Sequence, residues 1–198
     1  MRRKTPWLLA ISALLAGLLV IGLVAGCGSD QSQARQLVEQ AREKSKTVAQ
    51  TELKLQQKGQ QLANFFNTIQ NITPDTATAM KTFFNDAVNL LDQVNNAAQK
   101  TRTEYQKILE LNNAADYKKY ANIEIQILDL INRRSLLIKQ FAAIYNSLVD
   151  AAANGQQIDE TFFSNQAKPI VEERAKITSQ MDKLNTQAQE LAKKLKIQ

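Results

Sequence analysis

The sequence predicts an all-α protein, an antiparallel up-down-up-down bundle of four long helices. Gln, Asn, Ala, Lys and Leu are abundant, whereas only 6 Gly and 3 Pro occur among the 198 residues, a composition that favours long helices. Apolar residues recur at alternating intervals of four and three, so that one seam of each helix faces its neighbours. Three short breaks divide this pattern into four segments of nearly equal length, and short connections make successive helices antiparallel.

The breaks contain residues that start and stop helices. Thr73 before Pro74 is a start signal, because the threonine can cap the helix and proline suits the first helical position. Asn154 before Gly155 is a stop signal, and a weaker break falls near Asn113. Together they predict helices over about residues 32–71, 74–112, 115–153 and 159–196.

The first of these segments has the weakest apolar pattern. Ser45, Glu52 and Gly59 occupy positions of its seam where the other segments carry mostly apolar residues. A three-helix bundle with the first segment as a separate helical stalk is therefore the alternative architecture.

The N-terminal segment differs in polarity from the rest of the chain. Arg2, Arg3 and Lys4 precede an almost wholly apolar run over residues 7–25, and the chain turns polar directly after Cys27. A charged start followed by an apolar run is typical of a secretory signal peptide. The run is also long enough to span a bilayer, so an uncleaved transmembrane anchor is the alternative.

The end of this run, Val24-Ala25-Gly26-Cys27, resembles the lipobox of bacterial lipoproteins, in which an aliphatic residue and two small residues precede a cysteine. The resemblance covers residues 1–29. It implies cleavage between Gly26 and Cys27 and attachment of a diacylglyceryl group to the Cys27 sulfur. The resulting parts are a signal peptide over residues 1–26, a lipidated tether over 27–31 and a bundle domain over 32–198.

Acylation of Cys27 implies a location at a membrane. Two acyl chains, such as palmitate, anchor a protein stably in a bilayer, which one chain does not. The expected location is the outer side of the cell membrane, with the lipid bilayer as a partner through Cys27. In its long helices and its lipobox the chain also resembles the helical cell-wall-binding lipoproteins of Gram-positive bacteria, which implies that another component of the cell envelope is a partner.

Composition excludes several classes of function. The chain has no His and a single Cys, which excludes histidine catalysis, Cys/His metal sites and intramolecular disulfides. We therefore expect no enzyme, no cofactor and no metal. Subtracting Arg2, Arg3 and Lys4 from the formal charge of +6 leaves about +3, spread along the chain without a basic face, so no nucleic-acid partner is expected.

Three charged residues interrupt the apolar seams at a similar height above the membrane end of the predicted bundle: Glu52 in the first segment, Arg134 in the third and Arg174 in the fourth. Charges at seam positions are costly unless paired, so we predict an ionic layer in the middle of the bundle. It is either a salt-bridge layer that sets the register of the helices or a site for an anion.

The phenylalanines cluster towards the opposite end, away from the membrane. Six of them form three doublets beside the helix ends: Phe65, Phe66, Phe83, Phe84, Phe162 and Phe163. They are either a wide aromatic core or an apolar patch for a ligand or partner. The predicted function is a non-catalytic scaffold or binding module of the cell envelope, and the alternative is a sensor or carrier that binds a small apolar ligand at this end.

Overall fold

A computed structural model describes residues 26–68, 73–156 and 160–197, and these contain helices and no strand. The four helices are α1 (Gly26–Thr68), α2 (Pro74–Leu109), α3 (Ala115–Ala153) and α4 (Glu160–Leu195). Each helix packs against the next one along the chain. The protein is an antiparallel four-helix bundle, and the predicted fold class is confirmed.

Two helix ends form at the residues that the sequence indicates. The backbone N–H of Thr76 donates to Thr73 Oγ1 at 3.3 Å, and the Thr73 N–H donates to Thr76 Oγ1 at 2.7 Å, which caps the start of α2. At the end of α3, Gly155 has a φ of 65°, which favours glycine. The Gln156 N–H then donates to the Ala151 carbonyl at 2.9 Å and closes the helix end.

The start of α1 differs from the expectation. The helix begins at Gly26 and not at residue 32, so residues 27–31, expected to form an irregular tether, are helical. No proline or other strong helix breaker separates this stretch from the helix that follows. Its Asp30 carboxylate accepts a hydrogen bond of 3.0 Å from the Asn113 backbone N–H in the α2–α3 connection. The predicted end of the first helix, residues 69–72, lies outside the described residues.

The seam of α1 is buried against the other helices in spite of its weak pattern. Gly59, which weakens that pattern, is exposed, and a side chain added there would contact nothing within 4 Å. The most buried seam residues of α1 are at most 4% exposed: Ala34, Val38, Ala41 and Val48. Since α1 contributes to the core in this way, it is part of the bundle, and the alternative of a separate stalk is wrong.

We call the end of the bundle with the start of α1, the α2–α3 connection and the end of α4 the proximal end. Lys194 Nζ lies 2.8 Å from Asp116 Oδ2 there, which places the end of α4 beside the start of α3. The larger of two core clusters fills the proximal and middle parts of the bundle. A smaller cluster lies at the opposite, distal end and contains Met80, Phe84 and Val149.

The bundle is open between its first and last helices. In the described parts of α1 and α4, no Cα atom of one comes within 8 Å of a Cα atom of the other. The helix α4 packs against α3, whereas α1 packs mainly against α2 and approaches α3 at fewer positions. A closed bundle would have a fourth interface here, and this one has a groove instead.

Candidate ligand-binding groove

The groove between α1 and α4 occupies the proximal half of the bundle and has a volume of about 830 Å³. Ligand pockets commonly have volumes of about 300 to 1,000 Å³, so it is large enough for a small molecule or a short peptide. All four helices contribute residues to it. Its floor is formed mainly by Arg42, Ser45, Tyr105, Tyr120 and Glu124.

The floor is organised by two tyrosines that the α2–α3 hairpin brings together. Tyr105 lies near the end of α2 and Tyr120 near the start of α3, and both occupy seam positions, so the antiparallel turn places their rings 6.1 Å apart, edge to face. They are 1% and 4% exposed. The two tyrosine hydroxyls lie close together, with Ser45 beside Tyr105 and the Glu124 carboxyl group beside Tyr120. These polar groups come from three helices and lie side by side on the floor.

Burial shifts the pKa values of Glu124 and of the two tyrosines. It raises the pKa of Glu124, which the Tyr120 hydroxyl and the positive charge of Arg42 counteract. Burial and the nearby carboxylate of Glu124 also raise the pKa of Tyr105, and burial together with Tyr105 and Glu124 raises the pKa of Tyr120. Both phenols therefore remain protonated at neutral pH and act as hydrogen-bond donors and acceptors.

Arg42 is the one floor residue with an unsatisfied donor among the described residues. Its Nη1 atom is buried and has no hydrogen-bond partner. The guanidinium as a whole lines the groove without an ion-pair partner among the described residues, so it can donate to an acceptor oxygen of a ligand there. Arg42 therefore gives the groove a donor that suits an anionic or polar ligand.

The facing walls explain why the groove stays open. The wall from α1 carries Gln36 and Gln40, and the wall from α4 carries Asn185 and Gln189. Burying a carboxamide costs free energy unless all of its hydrogen bonds to water are replaced. Contact between α1 and α4 at these positions would therefore stabilise the bundle little. The carboxamides remain available to a ligand.

The structure brings two of the three charged seam residues together. Arg134 Nη2 on α3 forms an ion pair with Glu52 Oε1 on α1, and the two side chains are 23% and 29% exposed. Arg174 is exposed and is not part of this pair. On the neighbouring surface, Arg133 Nη2 lies 2.5 Å from Glu173 Oε1 and links α3 to α4. A paired Glu52 and Arg134 favour the structural interpretation over an anion site.

The described phenylalanines at the distal end pack against one another and their neighbours. Phe84 is buried and its ring centroid lies 5.4 Å from that of Tyr145, while the centroids of Phe65 and Phe83 are 5.6 Å apart. Lys58 Nζ lies 5.0 Å from the Phe83 centroid, within the range of a cation–π interaction. These contacts favour an aromatic core. The side chains of Phe66, Phe162 and Phe163 lie outside the described residues.

The predicted anchor lies largely outside the described part of the chain. The apolar run and most of the signal peptide, residues 1–25, are not described, and of Gly26 and Cys27 only the backbone is, within α1. Among the helices that are described, none has both the length and the apolar character needed to cross a bilayer. Cleavage and acylation at Cys27 stay predictions.

Sequence reasoning did not identify the groove. The alternation of four and three puts Tyr105 and Tyr120 at seam positions, like the core residues around them, and gives no special position to Arg42 or Glu124. A pattern that could have indicated the site is the carboxylate of Glu124 between Ile123 and Ile125, in the most apolar part of α3. In α3, which packs on two neighbours, this position lies at the edge of the buried face.

Comparison of the chain with protein-family models, curated proteins and solved structures found no match. Within the described residues, no group of three or more Cys, Asp or Glu side chains is placed to hold a metal ion.

Proposed function

We propose that the protein is an acyl-anchored lipoprotein on the outer side of the cell membrane, and that its helical bundle is a non-catalytic module that binds a ligand in the groove between α1 and α4. The observation that carries the binding role is the groove itself, which is of ligand size and has Arg42 among its lining residues. Arg42 has no ion-pair partner among the described residues, so its positive charge favours binding of an anionic or polar ligand over a purely structural role.

The anchoring part of the proposal rests on the lipobox-like residues and on where the groove lies. Arg42 is 15 residues beyond Cys27 on α1, or about 22 Å along a continuous helix. An acylated Cys27 would hold the groove close to the lipid surface. This position suits capture of a ligand that is displayed near the membrane or released from it.

The binding position favoured by the structure differs from the alternative expected from sequence. The described aromatic rings of the distal end contact one another, whereas the groove in the proximal half is open and has charged and carboxamide side chains among its lining residues. A polar ligand near the membrane is therefore proposed in place of an apolar ligand at the distal end.

Mass spectrometry of the protein extracted from membranes tests the anchor. The expected mature chain begins at a diacylated Cys27, and Cys27→Ser should remain unprocessed. The double variant Cys27→Ser with Ser29→Cys is the matched control, because it keeps a thiol two residues beyond the lipobox position. A native chain that retains residues 1–26, or processing of Cys27→Ser, would refute the anchor.

Photo-crosslinking in living cells tests the binding role. A photoreactive amino acid replaces Ala49, which lines the groove, or Ala143, an exposed alanine of α3 that does not. We expect adducts from position 49 and not from position 143, and we expect Arg42→Gln to reduce those from position 49. Equal adduct formation at both positions would contradict a binding role for the groove.

A further inference from the structure

We propose that the ligand of the groove is a short peptide in extended conformation with a free carboxylate, held between two rows of side-chain carboxamides. This inference rests on the proposed binding role and adds the chemical class of the ligand. Two observations support it: the spacing of the side chains on the two walls, and the fact that the acidic residues of the α1 wall already have partners.

The carboxamides form one pair on each wall. Gln36 and Gln40 are four residues apart on α1, and Asn185 and Gln189 are four residues apart on α4, so the members of each pair are separated by about 6 Å along the helix. A side-chain carboxamide carries one carbonyl acceptor and an NH₂ donor, which match the C=O and N–H of a peptide group. Each wall thus offers two peptide-like partners at a regular interval.

This interval matches an extended peptide. A strand rises about 3.3 Å per residue and presents the N–H and C=O of every second residue to the same edge, a repeat of about 6.6 Å. One edge of the peptide can therefore bond to the pair on α1 and the other edge to the pair on α4. The two carboxamide pairs lie at similar heights in the bundle. This follows from two contacts that align the helices at the proximal end, Asp30 with Asn113 and Asp116 with Lys194.

The charges of the groove favour a carboxylate at Arg42. Two acidic residues of the α1 wall already have partners, since Glu39 lies 3.3 Å from Arg35 and Glu43 lies 2.5 Å from Lys46. Arg42 retains a buried N–H without an acceptor. The one further carboxyl group on the floor, Glu124, lies beside Tyr120, and burial raises its pKa, which favours its neutral form.

The dimensions fit a peptide of a few residues. From Gln36 to Ala49 the groove extends 13 residues along α1, or about 20 Å, and four extended residues span about 13 Å. The volume of about 830 Å³ lies within the usual range for ligand sites. A saccharide or a simple dicarboxylate would use Arg42 but would lack the regular repeat that the two carboxamide pairs match.

Fluorescence anisotropy of a labelled tetrapeptide tests the inference on the full chain in detergent micelles. The probe is tetra-alanine with fluorescein on its amino end, either with a free carboxylate or with an amidated carboxyl end. The free acid should bind at least about tenfold more tightly than the amide, equivalent to about 1.4 kcal/mol, because only the acid carries a negative charge that can pair with Arg42. Glutarate in excess should compete poorly.

Matched variants separate the two parts of the site. Arg42→Gln should remove the preference for the free acid, whereas Arg102→Gln, an arginine of α2 that pairs with Asp129 outside the groove, should not. Gln40→Ala should weaken both peptide forms about equally, whereas Gln56→Ala, an exposed α1 residue beyond the groove, should change neither. Circular dichroism of each variant verifies that the bundle is intact.

Several results would overturn the peptide assignment: no binding of either form, equal affinity for acid and amide, or equal effects of Arg42→Gln and Arg102→Gln. If crosslinks from position 49 persist while the peptides fail to bind, only the ligand class is wrong. If the crosslinks are also absent, the proposed binding function is wrong as well.

Discussion

Replacement of Glu104 by Gln should destabilise the bundle at neutral pH and have little effect in acid. The Glu104 side chain on α2 is only 9% exposed and accepts hydrogen bonds from Lys44 on α1 and from Lys107, the latter at 2.6 Å. These bonds, that of Lys107 first, lower the pKa of Glu104 in spite of its burial. Glu104→Gln keeps the shape of the side chain and removes its charge.

The size of the effect follows from the exposure of the two lysines. A hydrogen bond to a charged group contributes about 1.5 to 3 kcal/mol when buried, but Lys44 and Lys107 are 46% and 50% exposed, and solvent weakens both interactions. We expect a loss of about 1 to 2 kcal/mol at pH 7. The control is Glu43→Gln, whose pair with Lys46 is exposed and should contribute less than about 0.5 kcal/mol.

The dependence on pH has a definite sign. Because folding lowers the pKa of Glu104, its stabilisation is complete above the unfolded value, near 4.5, and is lost as the pH falls through the folded value. Urea unfolding of residues 28–198, followed by circular dichroism, measures this at several pH values. The reasoning is refuted if Glu104→Gln costs no more than Glu43→Gln at pH 7, or if its cost is the same at low pH.

A double-mutant cycle of Glu52→Ala and Arg134→Ala should give a coupling of about 1 to 2 kcal/mol in the unfolding free energy, since the pair is half-buried; a coupling near zero would contradict a stable pair. Leu91 is 1% exposed, so Leu91→Ala should lower the free energy of unfolding by about 2 to 5 kcal/mol, whereas Leu136 is 51% exposed and Leu136→Ala should lower it by less than about 0.5 kcal/mol. If thermal unfolding gives similar losses for both variants, the core is misassigned. Because folding raises the pKa of Glu124, the wild type should lose stability relative to Glu124→Gln as the pH rises from about 4.5 through the folded value, the opposite sign to the contribution of Glu104; parallel profiles would contradict its burial.

The helices could be predicted because the information for them is local. Seam residues such as Leu91 and Ile177 are buried as the alternation of four and three indicates, and the cap at Thr73 forms within a few residues of itself. The start of α1 could not be predicted, because residues 27–31 are polar and permit either a helix or an irregular tether. That ambiguity is resolved by the surrounding structure, in which Asp30 contacts the α2–α3 connection.

The groove could not be predicted from the seams, because a heptad pattern identifies the buried face of a helix and not the approach of two particular helices. A residue beside the seam, such as Gln40 or Gln189, is exposed if α1 and α4 are apart and lies in an interface if these two helices are in contact. The pairing of Glu52 with Arg134 could be predicted from the sequence, because both residues interrupt a seam at the same height in the bundle. Arg42 and Glu124 flank their seams, and only the separation of α1 from α4 makes them floor residues.

The open side of the bundle has a consequence for how the chain folds. With no α1–α4 interface in the described helices, nearly all contacts join helices that are adjacent in sequence. Such a topology has a low contact order and needs no closure between the two ends of the chain, which is associated with fast folding. It also leaves α4 held by a single neighbour, so in native-state hydrogen exchange its amides should open at lower free energy than those of α2 and α3, each of which lies between two helices.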